Sequence, residues 1–219
     1  MSFQDILEIS QSIGVNDHRV VGQQVSRSGQ VTVAQYVTAV PFVFTVKPHN
    51  FLYYPQARKI LNDLRILDRQ IPDSIYFNSI NLKWFTANQG QLTTLQYNSL
   101  QLNAIPAANS TIFVMKNLPS VSAGTIIFKE GDYVMVGSYP YIVTNEVDRG
   151  SGTTVNVNVH RPIIIDLSVT VGSVIYSGNN VSFYVMMESY PTYTLIPMTN
   201  GAWIQWDSDF VFREAIGQP

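Results

Sequence analysis

Short alternations of apolar and polar residues, separated by turn residues, restrict the fold of this chain more than any other feature. The clearest alternation runs from Val155 to His160, where valine occupies every second position. Because successive side chains of a strand point to opposite faces, these valines are predicted to face a core. Val181 to Val185 repeats the pattern, and Gly-containing turns such as Glu130-Gly131-Asp132 lie between such segments. The spacing predicts a mostly β protein, a β-sandwich or small barrel.

Further strands are predicted at Gln30–Thr45, Ile75–Phe77, Asn81–Thr86 and Trp203–Phe212. In the first of them Phe42 and Phe44 share a parity, so their common face is predicted to be buried. In Asn81–Thr86, Leu82 and Trp84 are predicted to lie on the same face of the strand. The last, rich in aromatic residues, is interpreted as a return strand that completes an earlier sheet.

One principal helix is predicted, from about Pro55 to Arg69. Its apolar positions have the spacing of a single helical stripe and are Ala57, Ile60, Leu61, Leu64 and Leu67. Pro55 suits a first helical turn, and Pro72 follows the end of the run. Lys59 and Asp63, four residues apart, are predicted to interact on the exposed face. A second, weaker helix is predicted at Phe3–Ser12.

The distribution of these elements predicts two domains. We expect a discontinuous β domain made of residues 1–92 and 195–219, which contains the principal helix and is closed by the C-terminal strand. An all-β domain, residues 93–194, is expected to be inserted into it. The segment from Thr93 to Thr194 differs in composition from the first part and has no helical period.

Low charge is the main compositional constraint on function. Charged residues make up 13% of the 219, about half the usual share, and the net charge is −2. Such a chain has no basic face for nucleic acid, and its missing surface charge must be replaced by neutral polar residues or covered at an interface. Cysteine is absent, which excludes disulfides and thiol chemistry. The sequence has neither a signal-peptide pattern nor a 20-residue apolar stretch, so we expect a protein made and kept in soluble form in the cytoplasm until assembly.

No catalytic motif is present, so the chain is predicted not to be an enzyme and to need no cofactor or metal. His18, His49 and His160 have no metal-ligand spacing and are interpreted as surface or turn residues. Gly150-Ser151-Gly152 completes neither a nucleophile elbow nor a dinucleotide fingerprint and is predicted to be a hairpin tip. Asp207-Ser208-Asp209 could bind a hard cation, but a polar break between Trp206 and Phe210 is the preferred interpretation.

Two segments together resemble the distal tail and baseplate-hub proteins of tailed bacteriophages. The first contains the turn Ser26-Arg27-Ser28-Gly29, the strand Pro41–Val46 and the helix Ala57–Leu67. It is similar to the start of those proteins, where a polar turn precedes a β-hairpin and a short helix.

The second segment resembles the inserted β domain of the same family. It contains Gly131-Asp132-Tyr133, Val143-Thr144 and, after a Gly-Ser-Gly sequence, Arg161-Pro162. The resemblance implies a virion structural protein that forms a ring, commonly six-fold, at the distal end of the tail. The implied partners are copies of itself, the tail tube and other baseplate or tip proteins, and the implied location is the virion tail.

The residues offer one hypothesis for the contact between subunits. Val21–Thr45 is predicted to form a long hairpin, and a two-stranded sheet is only marginally stable in water unless it lies on another surface. Arg27 is its only charge. The predicted subunit-interface residues are Arg27, Ser28, Tyr36, Phe42 and Phe44.

Two alternatives remain open. A carbohydrate-binding β module for host-surface attachment would use exposed aromatic residues grouped in one groove. For Tyr133, Tyr139 and Tyr141, a place in the core or at an interface is preferred to ligand binding. A hydrolase with an acid pair would require a cleft with perturbed carboxyl groups.

Overall fold

The computed structural model describes residues 3–17, 21–25, 27, 31–35, 40–49, 51–67, 71–107, 109–164, 169–199 and 201–217. Strand accounts for 40% of the chain and helix for 14%. The predicted mostly β fold class is therefore confirmed.

The helices and strands are numbered here along the chain. The helices are α1 (Gln4–Glu8), α2 (Tyr54–Leu67) and α3 (Thr94–Tyr97). The first nine strands are β1 (Ser10–Asn16), β2 (Val21–Val25), β3 (Val31–Gln35), β4 (Val43–Pro48), β5 (Leu52–Tyr53), β6 (Asp73–Tyr76), β7 (Gln101–Leu102), β8 (Ile112–Lys116) and β9 (Ile126–Phe128). The other nine are β10 (Tyr133–Val136), β11 (Tyr139–Ile142), β12 (Val147–Asp148), β13 (Val155–Asn158), β14 (Tyr176–Ser177), β15 (Ser182–Ser189), β16 (Tyr193–Met198), β17 (Gly201–Trp206) and β18 (Phe210–Glu214).

The chain divides into two compact units. The first comprises Met1–Asp17, Pro41–Tyr76 and Phe183–Pro219, and the second comprises His18–Val40 and Phe77–Ser182. Residues 18–40 and 77–92 therefore belong to the second unit and residues 183–194 to the first, whereas the predicted division placed 18–40 and 77–92 in the discontinuous domain and 183–194 in the inserted one. The physical reason for the second difference is that β15 pairs with β18 along the first unit's sheet. Independent folding of residues 93–194 stays a prediction.

The first unit contains a curled five-stranded sheet with the order β1-β4-β18-β15-β6. Its core is aromatic. The rings of Phe42 and Phe44 both meet Phe183 edge-on, at centroid distances of 5.2 and 5.0 Å. Phe44 also lies opposite Phe212 in the β4–β18 register. The predicted burial of Phe42 and Phe44 is confirmed, because neither has exposed surface.

The principal helix is confirmed as α2. The described stripe residues Ala57, Ile60, Leu61 and Leu64 are buried, and the helix packs against β17 and β5. The predicted place of the Lys59–Asp63 pair on the exposed face is wrong, because Asp63 is 5% exposed and lies on the buried side. Lys59 Nζ donates instead to Asp5 Oδ2, at 2.6 Å. Hydrogen bonding to Asp5 and its negative charge raise the pKa of Lys59.

Two predicted strands are each replaced by two strands. Trp203–Phe212 is divided between β17, in the three-stranded sheet β16-β17-β5, and β18, in the five-stranded sheet. Asp207-Ser208-Asp209 lies between them, as a polar break, and Asp207 accepts a hydrogen bond from the Thr192 hydroxyl. Gln30–Thr45 contains β3 and β4, which belong to different sheets.

Two further predictions need correction. Asn81–Thr86 is a series of turns and not a strand, because Lys83 N and Leu82 N both bond to the Ser79 carbonyl. The predicted helix at Phe3–Ser12 is shorter: α1 ends at Glu8, and β1 begins at Ser10 and pairs with β4.

The second unit is built from small sheets with the orders β13-β8-β7, β12-β9, β11-β10-β14 and β2-β3. The alternation at Val155–His160 is confirmed by β13 and the residues after it, since Val157 and Val159 are buried. Among the described residues of this unit, the α-helix α3 was not predicted. It is only four residues long and is stabilised by a capping box between Thr93 and Gln96.

Candidate interaction surfaces

The hairpin β2–β3 is an isolated two-stranded sheet. Its register pairs Val21 with Gln35 at one end and Val25 with Val31 at the other, and Arg27 lies exposed in the turn. Among the described strands, no other pairs with β2 or β3. The backbone donors and acceptors on the outer edges of β2 and β3 therefore pair with no other strand of the described chain.

A buried arginine holds the chain that follows this hairpin. Arg161 is 1% exposed, and its guanidinium donates to the Val40 carbonyl at 2.5 Å and to the Pro140 carbonyl at 2.8 Å. The cation also lies 5.2 Å from the centre of the Tyr141 ring. The planar guanidinium has five N–H donors, so one arginine can donate to several carbonyl groups at once. Arg161 therefore attaches the chain at Val40, which follows the hairpin in sequence, to β11.

Of the predicted interface residues, the structure describes Arg27, Phe42 and Phe44. Phe42 and Phe44 have no exposed surface and stabilise the first unit's core, so neither side chain is accessible to a neighbouring subunit in this fold. Arg27 is exposed at the hairpin turn. Ser28 and Tyr36 lie outside the described residues. The hairpin turn, with Arg27, is what remains of the predicted interface among the described residues.

The Gly131-Asp132-Tyr133 motif forms a buried latch within the second unit. Asp132 is 1% exposed, and its carboxylate accepts backbone hydrogen bonds from Gln89 N at 2.8 Å and from Lys129 N at 2.9 Å. Burial raises the pKa of Asp132, and the backbone donors oppose part of that shift. This carboxylate has the structural task of attaching residues 89–90 to the β9–β10 turn.

Tyr97 and Gly90 complete the latch. The Tyr97 hydroxyl donates to the Ile127 carbonyl at 2.7 Å, and burial, together with the charge of Asp132, raises the pKa of Tyr97 to about 12. A Cβ at Gly90 would lie 2.0 Å from the same carbonyl oxygen, so only glycine fits there. The perturbed groups of this region are thus explained by packing.

A neutral polar cleft of about 260 Å³ opens beside the latch. Its lining residues are Ala87, Asn88, Leu92, Thr94, Tyr97, Ser177, Asn179 and Asn180. Asn88 Nδ2 donates to Ser177 Oγ at 3.1 Å, and Asn180 Nδ2 donates to Asn98 Oδ1 at 3.1 Å. Hydroxyl and carboxamide groups without charge are suited to an uncharged polar ligand such as a sugar.

An apolar groove of about 360 Å³ lies on the first unit. Its lining residues are Phe51, Ile196, Met198 and Trp203. Ile196 lies directly opposite Trp203 in the β16–β17 register, and Trp203 lies opposite Tyr53 of β5. Phe51 is 55% exposed and Met198 60% exposed. Contiguous exposed apolar surface of this kind marks interaction sites in soluble proteins.

An apolar turn protrudes from the second unit. Ile80 is 81% exposed and Trp84 72% exposed, and we call residues 79–86, which carry both, the Trp84 turn. The Trp84 indole N–H donates to the Asn81 carbonyl at 2.7 Å. Its ring meets Phe85 edge-on, and Phe85 packs on Phe77 and Tyr133 at 4.7 and 5.1 Å.

The remaining candidate residues have structural surroundings. His49 is exposed and His18 lies outside the described residues, while His160 is half-buried and accepts a hydrogen bond from Ile142 N at Nδ1. Tyr133, Tyr139 and Tyr141 are buried in the core of the second unit. Within the described ranges, no group of three or more His, Asp or Glu residues could hold a metal ion. None of the helices described is long and apolar enough to cross a membrane.

No local pattern predicts the groove, because the fold brings Phe51, which precedes β5, beside residues of β16 and β17. The Trp84 turn was missed because Leu82 and Trp84 at i and i+2 imitate a strand. The Thr93-x-x-Gln96 capping box was a readable signal for α3.

Comparison with known protein families and with curated protein sequences finds no match to this chain. The resemblance to distal tail proteins is therefore carried by the residues quoted for it alone.

Proposed function

We infer that this chain is a virion structural protein that forms a ring at the distal end of a phage tail, joining the tail tube to the baseplate or tip. The observation that carries the proposal is the β2–β3 hairpin, a two-stranded sheet with both edges unpaired among the described strands. A sheet of two strands rarely suffices in water, and a neighbouring subunit would provide the surface that it lacks.

Charge and exposed surface support the same proposal. With 13% charged residues, the chain has the composition of a protein that covers much of its surface, because interface cores are depleted in charge. The groove and the Trp84 turn add apolar surface that is exposed in the single chain. Catalysis is not part of the proposal, since the perturbed Asp132 and Tyr97 are engaged in the latch.

The neutral cleft favours a second candidate function, carbohydrate binding during attachment to the host surface. Its carboxamides and hydroxyls could bind the hydroxyl groups of an uncharged saccharide. The ring proposal is preferred because the cleft's lining residues include no exposed aromatic platform for a sugar ring.

Light scattering and negative-stain microscopy of the purified chain test the ring. We expect a mass several times that of one chain, closed rings in the micrographs, and smaller particles for Arg27→Glu. The matched control is Arg58→Glu, which makes the same charge change on the exposed face of α2 and should leave the rings intact. A monomer at all accessible concentrations would refute the ring and leave the saccharide candidate as the stronger one.

A further inference from the structure

We propose that the Trp84 turn of one copy inserts into the apolar groove of a second copy. This inference rests on the proposed self-assembly and names the two surfaces that would meet. The turn carries Ile80 and Trp84, and the groove is formed by Phe51, Ile196, Met198 and Trp203. Such a contact is heterologous: each copy offers a protruding surface to one neighbour and a groove to another, as a ring requires.

The chemistry of Trp84 fits a groove lined by apolar residues. An indole N–H that enters an apolar site usually leaves a donor without a partner, which is unfavourable. The N–H of Trp84 already donates to the Asn81 carbonyl within its own turn, at 2.7 Å. The ring can therefore be buried by a partner without loss of a hydrogen bond.

Both surfaces are held rigid before they meet. The Trp84 ring rests edge-on against Phe85, which is fixed between Phe77 and Tyr133. In the groove, Trp203 packs on Tyr53 with ring centres 5.8 Å apart. Rigid aromatic anchors lose little conformational entropy on binding, which favours association.

The size of the groove is also suitable. The groove, at about 360 Å³, lies within the range of roughly 300–1,000 Å³ that is usual for sites that bury most of a small ligand. The two most exposed apolar residues of the turn, Ile80 and Trp84, and the groove's four lining residues carry no charge, so burial of apolar surface would stabilise their contact.

Two single variants and their mixture test the contact. Trp84→Ala removes the protruding ring, and Met198→Glu places a carboxylate in the groove. Both side chains are mostly exposed, so the folded chain should tolerate the changes, which circular dichroism can verify. The matched controls are Leu95→Ala (83% exposed) and Ile105→Glu (53% exposed), which make comparable changes at other apolar surface positions.

We expect each of the two variants to associate at least roughly 30-fold more weakly than the wild type, as for an interface anchor. The controls should associate normally. An equimolar mixture of the two variants should form dimers, because the intact turn of Met198→Glu can enter the intact groove of Trp84→Ala. Sedimentation velocity measures all of these species.

The outcomes separate this inference from the ring itself. Wild-type assemblies that form open chains, and are lost in both variants, would support the contact and contradict the closed ring. Rings that persist in Trp84→Ala would overturn the contact and leave the ring standing. Failure of the two variants to pair when mixed would also overturn the contact, and a monomeric wild type would overturn both.

Discussion

Replacement of Arg161 by methionine tests the claim that this buried side chain holds the hairpin segment in place. Its guanidinium donates charge-assisted hydrogen bonds to the Val40 and Pro140 carbonyls, at 2.5 and 2.8 Å, and the residue is 1% exposed, so solvent provides no substitute. Each such bond contributes roughly 1.5–3 kcal/mol. Methionine fills much of the volume and avoids burial of a charge, which recovers part of the loss. We expect the free energy of unfolding to fall by about 3–4 kcal/mol.

The measurement is equilibrium unfolding in urea, with Arg58→Met as the control, since Arg58 is exposed on α2. Arg58→Met should change the free energy by less than about 0.5 kcal/mol, as is usual at the surface. Hydrogen exchange of the β2–β3 backbone amides gives a second, local measurement, and exchange should accelerate in Arg161→Met because Val40 is released. If Arg161→Met is as stable as Arg58→Met, with unchanged exchange, the arginine does not anchor the hairpin segment.

Two further changes test the latch of the second unit. Gly90→Ala should lower the free energy of unfolding by about 3 kcal/mol or more, because its Cβ would overlap the Ile127 carbonyl oxygen at 2.0 Å. Gly152→Ala, whose Cβ would have no neighbour closer than 3.5 Å, should be nearly neutral in the same urea titration; equal effects would contradict the steric argument. Asp132→Asn should remove one source of pH dependence from the free energy of unfolding, because burial raises the pKa of Asp132 above its ordinary value of 3.8. The stabilising contribution of its protonated form is complete below that value and is lost as the pH rises through the folded-state pKa. The free energy of unfolding of the wild type, relative to that of Asp132→Asn, should therefore decrease as the pH rises from 3.8 through the folded-state pKa of Asp132. A difference that does not depend on pH would refute the burial argument.

Local pattern was sufficient where one face of an element meets one core. The stripe from Ala57 to Leu64 predicted α2, and the alternation at Val155–His160 predicted buried Val157 and Val159, because side-chain periodicity follows directly from backbone geometry. The same reasoning failed at Asn81–Thr86. Turn hydrogen bonds to Ser79 determine the backbone there, so the spacing of Leu82 and Trp84 by two residues does not correspond to a strand.

What the sequence determined by itself is the mostly β class, the principal helix, the burial of Phe42 and Phe44, and the low charge. Tertiary structure decided which segments share a unit, because β15 pairs with β18, from Val185 with Glu214 to Ser189 with Val211. It also decided the surfaces: the groove combines Phe51 with β16 and β17, which are distant from it in sequence, and Trp84 is exposed because its turn projects it away from the core. Periodicity records the burial of a residue within its own element, but a surface shared by several elements depends on long-range pairing, which no local pattern encodes.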